Sequence, residues 1–169
     1  MRHVFNNPER CVVGTIGQPG ERAFFIQARE KARVVSVAVE KAQVAAIASR
    51  LELIVAEVRK SNPLISVISV ANDDAPLETP VDEEFQVGAI SLAWDDEKQL
   101  ITFELYELED DEQDAEGQVL EINFSLAMAI AFVQRSKAVV NAGRLPCPFC
   151  AIPIDPRGHL CPRANGYRR

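Results

Sequence analysis

Histidine is scarce in this chain: only His3 and His159 occur among 169 residues. A Ser/His/Asp catalytic set has little to draw on, and no Walker loop or dinucleotide-binding glycine pattern is present. Apolar runs are short as well. Met1–Pro8 holds no stretch of secretory length, and no later segment has the length needed to cross a bilayer. The expectation is a cytoplasmic protein with no membrane contact. Basic charge is in deficit, with a net charge of −7. Residues 144–169 carry Arg144, Arg157, Arg163, Arg168 and Arg169 against Asp155 alone, a balance of +4 that leaves −11 for the remainder. An acidic body argues against sequence-independent nucleic-acid binding, because phosphate contacts need basic surface. The tail by itself still offers a contact to a phosphate.

Hydrophobic content of 47% is ample for a packed core, and the length suits one domain with a small appendage. The reading is an α+β domain over residues 1–143 followed by a basic tail over 144–169. Cys11–Ile16 alternates weakly and stops at Gly17-Gln-Pro-Gly20, a turn composition. Arg22–Ala28 and Arg33–Val39 read as strands, the latter with valines at 35, 37 and 39 on one face. The period then changes. Val44, Ile47, Ala48, Leu51, Ile54, Val55 and Val58 recur at spacings of three and four, which predicts an amphipathic helix.

The second half repeats that order. Phe85–Trp94, Leu100–Leu108 and Val119–Phe124 read as strands, Ser125 as an N-cap and Leu126–Ala142 as a helix ending at Gly143. Strand–strand–strand–helix twice, over 11–60 and 85–143, suggests a duplicated βββα unit, with chance similarity as the plain alternative. Either way the pattern predicts an antiparallel sheet with helices on one face. Two loops, Asn72–Glu84 and Leu108–Gln118, are strongly acidic. A surface for a cation or a basic partner is one reading; without the spacing and glycine of a calcium loop, both stay with the plainer one, solvated, mobile loops that keep the protein soluble.

The tail carries the sharpest chemistry. Cys147 and Cys150 are spaced C-x-x-C, and His159 and Cys161 follow. Three thiolates and one imidazole form a closed tetrahedral zinc set, leaving no position for an activated water. Such a site is structural. Prolines 146, 148, 153, 156 and 162 fall in the same segment, which has little apolar surface and needs a staple to order it. A redox C-x-x-C, a disulfide, or Cys11 in place of His159 are the competing readings.

The tail Pro146-Cys-Pro-Phe-Cys150 through Gly158-His-Leu-Cys-Pro-Arg163-Ala-Asn165-Gly-Tyr167-Arg168-Arg169, the opening Phe5-Asn-Asn-Pro8 and the Gly17-Gln-Pro-Gly20 turn resemble an uncharacterised actinobacterial domain-of-unknown-function family, family 3090. The resemblance covers the whole chain. Ala151 departs from the glycine usual after C-P-x-C in a zinc knuckle, which bears on the knuckle's geometry and not on its ligands. The resemblance implies a genomic neighbourhood shared with a histidine-phosphatase-like and a phosphoinositide-kinase-like protein. A kinase-like or phosphatase-like protein partner is therefore the expectation.

Three functions follow in order. The first is a non-enzymatic binding or scaffold protein. The second is an enzyme acting on a phosphorylated small molecule, with Arg157, Arg163, Arg168 and Arg169, together with Asn165 and Tyr167, contacting the anion or a partner. The plain reading of those arginines is ion pairing with the acidic body. The third, nucleic-acid binding through the tail, has one tyrosine and one phenylalanine for stacking.

Overall fold

The computed structural model describes residues 1–18, 20–111, 116–142 and 148–149. Its elements are β1 (Arg2–Asn6), β2 (Arg10–Ile16), β3 (Ala23–Glu30), β4 (Arg33–Val39), α1 (Lys41–Ser61), β5 (Glu83–Asp95), β6 (Leu100–Glu107), β7 (Val119–Phe124) and α2 (Leu126–Asn141). All seven strands join one sheet in the order β1-β7-β6-β5-β4-β3-β2. The class is α+β, as the pattern of strands and helices predicts.

The sheet is mixed, which corrects the antiparallel expectation. β4 runs parallel to β5, and β1 runs parallel to β7. The first exception arises because α1 and the segment 62–82 carry the chain back to the end where β4 began, and that return makes the next strand parallel. The second comes from a strand the sequence pattern did not announce. Arg2–Asn6 pairs along its whole length with Val119–Asn123. His3 therefore sits within a strand.

β1 and β2 lie at opposite ends of the sheet order, yet only residues 7–9 separate them. Four Cα steps span at most ~15 Å, whereas seven flat strands are ~29 Å across. The sheet must therefore curl until its edges approach. The contacts agree. The Asn7 amide donates to the Asn123 carbonyl at 2.8 Å and the Glu9 amide to the Arg29 carbonyl at 3.0 Å. The Arg33 guanidinium lies 3.9 Å over the Phe5 ring and donates to the Val4 carbonyl.

The inner face of this curled sheet carries the main core. Strand alternation points Val13, Ile26, Val37, Phe103, Leu105 and Ile122 inward. The buried stripes of both helices join the same cluster, with Leu51 and Phe132 almost fully enclosed. Phe132 of α2 packs edge-on to Phe103 at 5.8 Å and stacks on Phe124 at 6.2 Å. In β5 the inward set passes from Phe85 and Val87 to Ile90, Leu92 and Trp94, an odd-to-even switch. A register shift between Val87 and Ile90 makes it possible. One extra residue at such a bulge restores the facing that a strict period of two would lose.

The outer face of β2–β4 is buried too. Val12, Phe25 and Ala38 form a second small core with Leu77 from the segment between α1 and β5. Gln27 is buried beside it; its amide donates to Ser36 Oγ and the Glu78 carbonyl, and its oxygen accepts from the Glu78 amide at 2.9 Å. The acidic Asn72–Glu84 segment is thus pinned to the sheet and does not stand free as a solvated loop. Leu108–Gln118 lies partly outside the described residues.

Candidate functional site

All four expected zinc ligands, Cys147, Cys150, His159 and Cys161, lie outside the described residues, as do Arg157, Arg163, Asn165, Tyr167, Arg168 and Arg169. Cys11 is within them. It is 2% exposed on the inner face of β2, and burial pushes its thiol up to about 12. Among the described residues its side chain packs in the main core.

Two arginines far apart in sequence converge on one carboxylate. Arg10 of β2 binds Asp73 in a fork, Nε to Oδ2 at 2.6 Å and Nη2 to Oδ1 at 3.1 Å. The same Nη2 donates to the carbonyls of Ala75 and Pro76. Arg135 of α2 donates from Nε to the Val13 carbonyl and from Nη1 to the Asp73 carbonyl, both at 2.7 Å. The Arg10 hydrogen bond is the main reason Asp73 titrates below the usual carboxylate range. Desolvation, followed by the nearby Arg10 charge, lowers Arg135. These bonds fasten strand, helix and the 62–82 segment to one another, and that is their chemistry.

A second polar cluster occupies the outer face of β1, β6 and β7. Glu104 and Glu121 stand directly opposite each other across β6 and β7, an arrangement that repels unless a cation joins it. Arg2 supplies the charge, with Nη1 at 3.1 Å from Glu104 and 2.6 Å from Glu121. The Tyr106 hydroxyl also donates to Glu104 and is the first cause of that carboxyl's lowered pKa.

A groove lies between α1 and the far half of β5. One opening of about 610 Å³ is lined by Arg50, Ile54, Glu57 and Val58 of α1 and by Leu92, Ala93 and Trp94 of β5. A neighbouring opening of about 430 Å³ shares Arg50 and Leu92 and adds Ala46, Ile47, Ile90 and Ser91. Gln43 joins α1 to β5 just before this stretch. Its oxygen accepts from the Glu40 amide that caps α1, and its Nε2 donates to the carbonyls of Val87 and Gly88 at 3.1 Å each. At the other end the Trp94 indole donates to Asp96 at 3.3 Å. Sequence reasoning missed this groove because its existence depends on where β4 stops pairing with β5. It missed Arg10, Asp73 and Arg135 because they lie 62 or more residues apart.

No cluster of three or more His, Cys, Asp or Glu side chains suited to a metal occurs among the described residues. No helix among them is long and apolar enough to cross a membrane. Fold and groove together define an α+β protein whose curled, mixed sheet leaves part of one strand open beside a helix. The chain belongs to the family described as protein of unknown function (DUF3090), whose profile matches residues 3–161. That match runs from β1 through Cys161. No curated protein and no solved structure matches the chain.

Proposed function

We propose that this chain is a cytoplasmic, zinc-containing binding or scaffold protein. The observation that carries the reading is the open groove along the free half of β5. In contrast, the charged clusters around Asp73 and Glu104 are already engaged in holding segments together. Exposed apolar side chains support it: Leu64 is 94% and Ile68 81% exposed, just beyond the end of α1. These side chains are available for contact with another molecule. Zinc, held by Cys147, Cys150, His159 and Cys161, acts as a structural staple that presents the tail arginines. A kinase-like or phosphatase-like protein is the partner class implied by the family resemblance.

The test is a pull-down with the full chain, purified without chelator, with zinc measured on the same sample. About one zinc per chain and a saturable protein partner are expected. A zinc content far below one sinks the metal site. Turnover of a phosphorylated small molecule by the purified chain, lost when Arg163 or Arg168 is replaced, would transfer the assignment to an enzyme.

A further inference from the structure

We infer that the groove between α1 and β5 takes up an extended segment of another protein by adding it as a strand to the open edge of β5. This deepens the binding reading above and rests on it.

The open edge follows from strand lengths. β4 ends at Val39 and pairs with β5 only at Ser36–Glu83 and Ala38–Gln86. The chain then turns at Glu40 into α1. From Ile90 to Asp95, β5 pairs with β6 along one side, and no strand among the described residues pairs along the other. A strand edge of this kind presents backbone donors and acceptors that water alone satisfies, which is a template for another strand.

The groove lies along that edge and not on one face of the sheet. Side chains of a strand alternate between faces, so a cavity on one face would be lined by every second residue. Here the consecutive residues 90–94 contribute to the two openings. α1, packed against the inner face, supplies the second wall of both openings. A groove with a strand edge on one side and a helix on the other accepts an extended peptide, whose backbone pairs with the strand while alternate side chains contact the helix.

The lining specifies the partner's chemistry. Ile54, Val58, Leu92 and Trp94 form an apolar floor that suits alternate Val, Ile or Leu side chains. Arg50 and Glu57 both line the groove, and neither makes an ion pair with another described residue. They are seven residues apart on the helix, ~10 Å along its axis, which matches about three residues of a strand. Side chains on one face of a strand recur every second residue, so the segment carries an acidic and a basic residue about two or four positions apart. The acid faces Arg50, and the base faces Glu57 and Asp96. A second copy of the chain is a poorer occupant, because each copy carries −7 and repels the other.

The experiment uses the full chain, isotope-labelled, with blocked synthetic peptides of about seven residues. Valine alternates with threonine, except that one of the helix-facing valine positions is glutamate and another lysine, at either spacing and in either order. At least one peptide is expected to shift the amides of residues 89–95 and slow their hydrogen exchange by roughly ten-fold or more. N-methylating alternate peptide nitrogens should abolish binding in one register, the one facing β5, and leave the other register within a few-fold. Arg50→Glu combined with Glu57→Lys should weaken the best peptide by roughly ten-fold, and exchanging its glutamate and lysine should restore it. Equal tolerance of both N-methylated registers overturns strand addition, as does failure of every peptide. Dimerisation through β5, seen by sedimentation and blocked by Arg50→Glu, overturns the foreign occupant. A pull-down partner that binds without perturbing β5 leaves the binding reading standing and removes this one; an empty pull-down removes both.

Discussion

Leu77 occupies the space that a side chain on Gly14 would fill. A Cβ built on Gly14 would lie 2.3 Å from Leu77 Cγ, so the bare backbone of β2 is the seat for this leucine. Leu77 in turn anchors the long segment between α1 and β5 onto the outer face of the sheet.

Gly14→Ala should therefore destabilise the protein by about 1–3 kcal/mol, the range for overpacking a tight contact. Denaturant midpoints measure it. Leu77→Ala opens space for the added methyl, so the double variant should lose less than the two single costs combined. Strict additivity would show that the two residues do not meet.

Asp73 holds Arg10 and Arg135 together, and its side chain is 35% exposed. Screening by water reduces the value of the pair, so Asp73→Asn should cost about 1–2 kcal/mol at neutral pH. The folded pKa is depressed, so this stabilisation is complete above the unfolded value of about 3.9. It is lost as pH falls through the lower folded value. The stability gap between wild type and Asp73→Asn should close with acidification below about pH 4. A gap that does not narrow at all with acidification would contradict this account.

Gln43 serves two elements at once, the α1 cap and the β5 carbonyls of Val87 and Gly88. Gln43→Ala should cost about 1–2 kcal/mol, a cap plus a hydrogen bond. Hydrogen exchange should rise at the first turn of α1. Unchanged protection there would mean that water replaces the side chain without loss.

Cys11 and the tail cysteines should behave differently. Cys11, buried with its thiol pushed up to about 12, should resist alkylation in the folded protein. Cys11→Ala should keep its zinc, whereas Cys147→Ser, His159→Ala and Cys161→Ser should each release it. Loss of metal from Cys11→Ala would make Cys11 the fourth ligand in place of His159.

The local elements were largely legible in sequence because their signals are local. The stripe from Val44 to Val58 specifies α1, and all seven of those positions are buried. Ser125 caps α2, its hydroxyl accepting from the Met128 amide at 3.2 Å. β4 and β7 have the bounds their alternation predicts. β1 was not legible. Arg2–Asn6 is short, and parallel pairing with a strand more than a hundred residues away leaves no local mark.

By itself, the sequence determined the element types after β1, the buried stripe of α1 and the candidate ligand set Cys147, Cys150, His159 and Cys161, since periodicity and spacing are properties of neighbouring residues. Only the tertiary structure decided that the sheet is mixed and curled, that Arg10 and Arg135 meet at Asp73, and that β5 outruns β4 beside α1. Those outcomes depend on which distant segments pair and how far, and no short stretch of chain encodes that choice alone.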